Sequence, residues 1–320
     1  MEERLSDADK EPLTVAAGSV CWRRQARGVE ILVVNRPFHN DTSFPKGKRD
    51  DLETLPQTAK REVLEETGFE IDLGPYLGEV SYTLEDGSPK TVHYWGSEID
   101  SSPIINSEFK PNDEVSSIEW VNIDEVPTRL TYDLDRDMVE RFREVLSEGK
   151  VQTFPMIFLR HAEAEHRVQA NQDDRDRALT KRGLEDAKNI SAGIMAFSPI
   201  HFFSSPSRRC RDTASIISEF TDTKLEITEA ISQELSINGS DGASELLKRQ
   251  IKRKAPSLFC SHAPVLLQLL ETAAQCAGVA DDALIRVMNL SEGSFSVIHL
   301  ASNRNLLHVT SVESHSPPNN

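Results

Sequence analysis

The chain has 320 residues, of which 38% are hydrophobic and 28% are charged, and its formal net charge is −16. This composition is typical of a globular protein of about two domains, and no apolar run is long enough to cross a membrane. The negative charge disfavours a nucleic acid polymer as partner, because binding to a phosphate backbone requires a basic surface. An anionic small molecule is not excluded, since local cations can outweigh a distant net charge.

The N-terminal segment, MEERLSDADKEP, is acidic and polar. It has neither the apolar stretch of a signal peptide nor the basic character of a transit peptide, so residues 1–12 are predicted to be flexible. The four cysteines show neither C-x-x-C spacing nor a disulfide framework. Together these features predict a cytoplasmic protein.

The first predicted elements form a β-hairpin within residues 13–35, where the apolar runs LTVAAGSVCW and VEILVVN flank the polar segment RRQARG. Residues 47–69, GKRDDLETLPQTAKREVLEETGF, follow. Their second half is predicted to be a helix with Thr54 as its N-cap, Gln57 as the capping-box partner and Gly68 as the stop.

Three carboxylates in this helix, those of Glu62, Glu65 and Glu66, project within roughly 100° of one another at 3.6 residues per turn. Carboxylates crowded in this way repel each other unless cations neutralise them. Hard oxygen ligands of this kind suit Mg²⁺, with Mn²⁺ as the alternative, and both metals bridge to substrate phosphates. A solvated acidic helix face is the competing interpretation.

The pattern G-x5-E-x7-R-E-V-x-E-E-x-G-F resembles the Nudix box, and it is carried by Gly47, Glu53, Arg61, Glu62, Glu65, Glu66 and Gly68. The resemblance implies that the metal ligands are Glu62, Glu65, Glu66 and the backbone carbonyl of Lys46. Glu62 and Glu65 are the predicted catalytic carboxylates, and which glutamate acts as the base stays open. Arg61 and Glu53 are expected to orient the helix and the preceding loop.

After the box, the runs YLGEVSYTL, TVHYWGSEI and VSSIEWVNI have the pattern of strands, and residues 133–146 that of an amphipathic helix. Mixed strands with helices on their faces agree with an α/β/α Nudix domain, which is placed at residues 13–150. The short polar segment SEGKVQT contains the predicted boundary.

From residue 151 the pattern changes to strand–helix alternation, which is typical of a parallel sheet. The predicted strands are FPMIFL, IHFFSS, LEITEAI and SLFCS, and a terminal hairpin closes the domain. One predicted helix begins after Thr180 as its cap. This second domain, a three-layer α/β/α fold, is placed at residues 151–313, and residues 314–320 are predicted to be a disordered tail.

Three motifs fall at predicted strand ends, where parallel sheets bind ligands. They are LRHAE at residues 159–163, SSPxxR at residues 204–209 and CSH at residues 260–262. With RxLTxxG at residues 177–183 they resemble the histidine phosphatase superfamily, in a short form similar to the phosphohistidine phosphatases, and imply a phosphoglycerate-mutase-like fold. The seven remaining histidines show no ligand spacing and are predicted to be structural or on the surface.

The second resemblance implies that His161 attacks phosphorus, that Arg160 and Arg209 hold the phosphoryl oxygens, and that His262 stabilises the transferring group. A neutral imidazole is a competent nucleophile near pH 7, and guanidinium groups neutralise the charge that develops. Where the family has RHG, this chain has RHA, with Ala162 after the nucleophile. The general acid stays open among Glu163, Glu229 and Glu234.

The order of the two domains resembles that of the actinobacterial MutT-type two-domain hydrolases. This resemblance implies a small nucleotide substrate, such as 8-oxo-dGTP or 8-oxo-GTP cleaved to the diphosphate and phosphate, and diadenosine polyphosphates. It leaves homo-oligomerisation open. The alternatives are hydrolysis of another polyphosphate, such as an inositol pyrophosphate or any nucleoside triphosphate, or a nucleotide sensor whose second domain is a docking module.

The candidate substrate-binding residues fall into three groups. Cationic side chains near the box are predicted to hold terminal phosphates, the aromatic side chains of two strands can stack on a purine, and a pair of acids in the loop KPNDEVSS can contact a metal or a base edge. These groups are Arg36, Lys46 and Lys48, then Tyr82 and Tyr94, then Asp113 and Glu114.

Overall fold

The computed structural model describes residues 13–37, 40–100, 109–166, 173–221, 223–280, 284, 289–304 and 306–318. The predicted flexible N-terminus therefore lies outside the described residues. The elements are β1 (Thr14–Gln25), β2 (Gly28–Arg36), β3 (Asp41–Ser43), β4 (Lys46–Lys48), α1 (Leu55–Thr67), β5 (Tyr76–Thr83), β6 (Pro89–Glu98), β7 (Ser117–Asn122), α2 (Val126–Arg129) and α3 (Asp133–Ser147) in the first half.

The first half forms one mixed sheet in the order β3-β2-β1-β6-β5, with β4 paired to β1 and β7 paired to β2. The β1–β2 hairpin is antiparallel, as predicted, whereas β1 and β6 run parallel over nine residue pairs. Apolar residues on both faces of β1 and β6 are buried, which agrees with a sheet covered by helices on both sides.

Helix α1 begins and ends where the sequence predicted, but its N-cap differs in detail. Gly68 adopts φ 71°, the left-handed conformation of a C-cap glycine, and its N–H donates to the carbonyl of Leu64. Thr54 is the N-cap residue, yet its hydroxyl makes no capping hydrogen bond. The hydroxyl instead lies against Gly193, where a Cβ would come within 2.1 Å of it, so packing against the second domain overrides the cap.

The second half contains β8 (Thr153–Arg160), α4 (Lys181–Met195), β9 (His201–Ser204), α5 (Arg208–Ser218), β10 (Leu225–Ile227), α6 (Gln233–Ile237), α7 (Gly242–Arg253), β11 (Ser257–Ser261), α8 (Ala263–Ala277), β12 (Phe295–Asn303) and β13 (Leu306–His315). Its sheet has the order β10-β9-β11-β8-β12-β13. The first four of these strands are parallel, and β12 and β13 form the predicted antiparallel hairpin. The predicted strand LEITEAI is wrong beyond Ile227, since Glu229–Ile231 form a 3₁₀ turn.

The two domains share one apolar cluster. It includes Val63 of α1 and Trp95 of β6 from the first domain, with Ile190 of α4 and Phe295 of β12 from the second. Buried apolar area is the main favourable term in folding, so the two sheets are expected to stabilise each other. In the described residues, no helix is both long and apolar enough to cross a bilayer.

The last strand extends into the segment that the sequence predicted to be a disordered tail. Strand β13 continues to His315, and Glu313 is buried with an exposed fraction of 6%. Both Glu313 carboxylate oxygens accept a hydrogen bond from Trp95 Nε1, at 3.0 and 2.9 Å. This contact joins the last strand of the second domain to the first domain, and Ser314 and His315 belong to that strand rather than to a disordered tail.

Candidate functional site

The carboxylates of the box and the cations predicted to hold phosphates line one cleft of about 540 Å³ in the first domain. The predicted residues that it brings together are Arg36, Lys46, Gly47, Lys48, Arg61, Glu62, Glu65, Glu66, Asp113 and Glu114. Strands β2 and β4, helix α1 and the loop before β7 therefore place opposite charges around one opening.

The box glycine is required by close packing beneath this cleft. A Cβ on Gly47 would lie 2.0 Å from the carboxyl carbon of Glu62, closer than any real side chain allows. The absence of a side chain at Gly47 thus lets the Glu62 carboxylate rest against the backbone of β4. The glycine at position 47 of the pattern is therefore explained by the lack of space for any side chain.

Arg61 and Glu53 connect the helix to the loop before it. Arg61 donates from Nε and Nη2 to the two Glu53 oxygens, both at 2.8 Å, and from Nη2 to the carbonyl of Lys48 at 3.1 Å. Its Nη1 also reaches Glu62 at 2.7 Å and Glu65 at 3.0 Å. One guanidinium therefore fixes the geometry of the loop and of two candidate metal ligands.

Burial disfavours the charged form of two of these glutamates. Burial raises the pKa of Glu66 to about 7, although the nearby Lys46 ammonium and the Lys46 N–H, which donates to Glu66 at 2.8 Å, act in the opposite direction. Burial also raises the pKa of Glu62, opposed by Arg61 and reinforced by the charges of Glu65 and Glu114. These carboxylates lack sufficient compensating positive charge.

A divalent cation fits this donor set chemically. Buried carboxylate oxygens with raised pKa values are hard ligands in need of a positive charge, and the side chain of Glu65 beside them is 57% exposed. In the described part of the chain, however, no three acidic, histidine or cysteine side chains are gathered closely enough to hold a metal ion as they stand. Arg61 is paired with oxygens of Glu62 and Glu65, so binding of a metal ion requires these ion pairs to break.

The predicted phosphate-binding cations differ in exposure. Lys46 is buried, its Nζ donates to Ser43 Oγ at 2.9 Å, and burial lowers the pKa of its ammonium. Arg36 is held by a bidentate pair with Asp41 at 2.8 and 2.6 Å, which leaves one edge of its guanidinium for a ligand. Lys48 is exposed at the rim. Sequence analysis missed Lys90, which also lines the cleft.

The prediction that Tyr94 stacks on a purine is wrong. Its ring is fully buried, and its hydroxyl donates to Asp135 Oδ1 at 3.2 Å. The neighbouring Trp95 is also fully buried, in the cluster on the other face of β6. Tyr82 is half-buried on β5 and stays a candidate for stacking, as do the exposed Asp113 and Glu114 for polar contacts.

Asp135 is a further residue that sequence analysis missed. It lies in the first turn of α3 with an exposed fraction of 3%, and burial raises the pKa of its carboxyl. Its Oδ2 atom has no hydrogen-bond partner among the described residues. The charges of Lys46 and Arg36 act on it, so this acceptor belongs to the polar network under the cleft.

A second site lies at the carboxyl ends of β8, β9 and β11, as the three motifs predicted. Arg209 joins its members: its Nε donates to His161 Nε2 at 3.3 Å and its Nη2 to His262 Nδ1 at 3.3 Å. The two imidazole rings lie 5.2 Å apart, centre to centre. Arg160 donates from Nη1 to the carbonyl of Leu290 at 2.8 Å, while its Nε has no partner in the described chain.

These contacts determine which nitrogen of each histidine carries the proton. Because an arginine can only donate, His161 Nε2 and His262 Nδ1 both accept. His161 Nδ1 therefore carries the proton and donates to the carbonyl of Ala162 at 2.9 Å, and His262 Nε2 lies 3.3 Å from Ser205 Oγ. The lone pair of His161 Nε2 faces the guanidinium that is predicted to bind the phosphoryl group.

Both histidines are neutral near pH 7. Burial lowers the pKa of His161 to about 4, and the cations Arg209, Arg160 and Arg177 act in the same direction. Burial, His161 and Arg209 lower the pKa of His262 to about 3. A neutral, buried imidazole whose Nε2 carries no proton has the protonation state that a nucleophile requires.

The change from RHG to RHA causes no backbone strain. Ala162 is not among the described residues with a left-handed conformation, and its N–H donates to Thr213 Oγ1 at 3.0 Å. The three predicted general acids bond elsewhere. Glu163 accepts from Thr180 at 2.8 Å, while Glu229 and Glu234 lie 2.8 and 3.8 Å from Arg175.

Comparison with known proteins identifies the families of the two domains. The NUDIX domain profile matches residues 12–142, and the histidine phosphatase superfamily (branch 1) profile matches residues 156–250. The chain is 32% identical over 265 residues to an 8-oxo-(d)GTP phosphatase from Mycolicibacterium smegmatis, covering 80% of this chain and 79% of that protein. It is 35% identical over 85 residues to an asymmetrical bis(5'-nucleosyl)-tetraphosphatase from Rattus norvegicus, covering 25% and 55%. A solved Ap4A hydrolase from C. elegans is similar with a TM-score of 0.38 and 22% identity, covering 42% of this chain and 98% of that one.

Proposed function

Because this chain belongs to the Nudix hydrolases that carry a C-terminal histidine phosphatase domain, we propose that it hydrolyses phosphoanhydrides in oxidised guanine nucleotides. The proposed substrates are 8-oxo-dGTP and 8-oxo-GTP, cleaved to the diphosphate and phosphate, with diadenosine polyphosphates as further substrates. The supporting observation is the single cleft in which the box carboxylates face Arg36, Lys46, Lys48 and Lys90. A relative that covers most of the chain and is named for 8-oxo-(d)GTP adds weight to this choice.

We infer that the carboxylates on one side of the cleft and the cations on the other have different roles in the mechanism. Glu62, Glu65 and Glu66 would hold Mg²⁺, which when bound supplies an activated water and neutralises phosphate charge. Arg36 and the lysines orient the terminal phosphates by charge-assisted hydrogen bonds. Tyr82 and the exposed Asp113 and Glu114 are the proposed contacts for the base.

Product analysis tests this proposal directly. The protein should release phosphate and the nucleoside diphosphate from 8-oxo-dGTP in the presence of Mg²⁺, with a higher kcat/KM than for dGTP. Chromatography of the nucleotides, with separate assays for phosphate and pyrophosphate, identifies the bond that is cleaved. Release of pyrophosphate alone would contradict the proposed route, and faster turnover of an inositol pyrophosphate than of any nucleotide would favour the alternative substrate class.

Mg²⁺ should stabilise the protein more at pH 8 than at pH 5. The folded-state pKa of Glu66 is raised from 4.5 to about 7, so its contribution favours folding below pH 4.5 and is lost as the pH rises to about 7. A cation that binds the ionised carboxylate restores this stability only where the group is deprotonated. Thermal unfolding with and without Mg²⁺ at the two pH values measures the difference. An equal shift at both pH values would argue against Glu66 as a ligand.

We further propose that the second domain is a phosphatase that transfers a phosphoryl group through His161. The neutral His161 Nε2, the adjacent Arg209 and the buried His262 support this role. The competing interpretation is a docking module without turnover. Loss of phosphomonoester hydrolysis in a His161→Ala variant that retains nucleotide hydrolysis would favour the phosphatase.

A further inference from the structure

The guanidinium that joins the two histidines of the second site is also held by a carboxylate. Arg209 donates from Nη1 to the backbone carbonyl of Asp174 at 2.6 Å and from Nη2 to Asp174 Oδ2 at 2.9 Å. The side chain of Arg209 is 3% exposed, whereas that of Asp174 is 34% exposed. The carboxylate is therefore more accessible to solvent than the guanidinium that it contacts.

Asp174 contacts the arginine between the two histidines, whereas the acids that the sequence suggested have other partners. Glu163 is bound to Thr180, and Glu229 is bound to the exposed Arg175. The side chain of α6 that reaches Arg209 is the amide of Gln233, at 3.5 Å, which has no acidic proton to give. Asp174 is the described carboxylate that accepts a hydrogen bond from Arg209, and in its protonated form it can serve as a proton donor.

We propose that Asp174 is the general acid of the second domain, an inference that rests on the proposed phosphatase function. An incoming phosphoryl group and the Asp174 carboxylate compete for the same Nη2 donor of Arg209. When the phosphoryl group takes that donor, the carboxylate keeps its ion pair with Arg177 Nε at 3.2 Å, but it loses the charge of Arg209 and gains a neighbouring anion. Both changes favour the protonated form of Asp174, so substrate binding itself promotes uptake of a proton from solvent by this carboxylate.

The reaction then balances in two steps. In the first, the lone pair of His161 Nε2 forms a bond to phosphorus, the phosphorus–oxygen ester bond breaks, and Asp174 gives its proton to the departing oxygen. In the second, water attacks phosphorus, gives a proton to the Asp174 carboxylate, and the phosphorus–nitrogen bond breaks. The electron pair returns to Nε2, and phosphate leaves.

The test compares two leaving groups in the full-length chain. An alkyl phosphate such as β-glycerol phosphate needs a proton on its leaving oxygen, whereas p-nitrophenyl phosphate releases a stable anion. Asp174→Asn should lower kcat/KM for the alkyl phosphate about 10²- to 10⁴-fold. The rapid first-turnover burst of p-nitrophenolate should fall less than about tenfold, because the first step of that substrate needs no acid.

The matched control is Asp176→Asn, which changes an exposed carboxylate in the same 3₁₀ turn and should leave both rates unchanged. If Asp174→Asn lowers the rates for both substrates by the same factor, Asp174 is not the general acid and is instead a positioning residue for Arg209. Faster turnover of both would show instead that Asp174 blocks the site. If the His161→Ala variant hydrolyses both substrates as fast as the native chain, the second domain is not a phosphatase that acts through His161. The proposed role of Asp174 is then also disproved.

Discussion

Replacing Glu65 and Glu66 together by glutamine should lower kcat for hydrolysis of 8-oxo-dGTP about 10²- to 10⁴-fold. Glutamine preserves the shape of each side chain but removes the negative charge that a divalent cation requires. The fold should be retained, because the new amide oxygen can still accept the hydrogen bond that the Lys46 N–H donates to Glu66, at 2.8 Å in the native chain. Steady-state kinetics at saturating Mg²⁺ and circular dichroism measure the two effects.

The same double variant should be more stable than the native chain at pH 8 without metal. Burial raises the pKa of Glu66 to about 7, so at pH 8 the native carboxylate is ionised in a site that disfavours its charge. A neutral amide removes this cost. Glu70→Gln, which changes an exposed glutamate just beyond α1, is the control and should alter neither activity nor stability. Full activity in the double variant would remove these glutamates from the proposed metal site.

The sequence predicted this cleft well because its main constraint is local. The helical spacing of Glu62, Glu65 and Glu66 follows from one turn of α1, and Gly68 ends that helix for a steric reason. The glycine at position 47 is also explained by a contact within the box, because the Glu62 carboxylate fills the space that a side chain would need. Such constraints leave a recognisable pattern in a single stretch of chain.

The parts that were missed depend on contacts between distant segments. Lys90 and Asp135 come from a strand and a helix far from the box, and no periodicity relates them to it. Tyr94 was misassigned because β6 is covered on both faces, so the alternation of side chains does not separate inside from outside. Asp174 was missed because its partner Arg209 is 35 residues away.

The buried contacts of Glu313, which the sequence did not predict, should contribute strongly to the stability of the fold. Glu313 is buried between three side chains: Trp95 Nε1 donates to it, His315 Nε2 lies 2.7 Å away, and His299 Nε2 lies 3.5 Å away. Removing the carboxylate by Glu313→Ala would leave these groups buried without their acceptor. We expect a loss of about 3–5 kcal/mol in the free energy of unfolding, as for other broken buried pairs. Chemical denaturation measures it, with the exposed Glu226→Gln as the control.

The pH dependence gives this prediction a second, independent measurement. Burial alone would raise the pKa of Glu313, but the hydrogen bond and charge of His315 and the charge of His299 lower it from 4.5 to about 2. Its stabilising contribution is therefore present above pH 4.5 and is lost as the pH falls to about 2. Glu313→Gln should flatten the stability profile in that window. An unchanged profile would show that the carboxylate does not act as the paired ion that the geometry indicates.

The position of Glu313 also predicts how the two domains unfold. The carboxylate and Trp95 are 218 residues apart in sequence, and they sit beside an apolar cluster to which both domains contribute. A polar contact supported by such a cluster should make the domains unfold in one transition rather than two. The milder Trp95→Phe variant keeps an aromatic ring but removes the donor, so it isolates the hydrogen bond from most of the packing. In a double-mutant cycle with Glu313→Gln, the coupling energy should be about 1–3 kcal/mol. Strict additivity would mean that the Trp95–Glu313 hydrogen bond contributes nothing to the stability of the two domains.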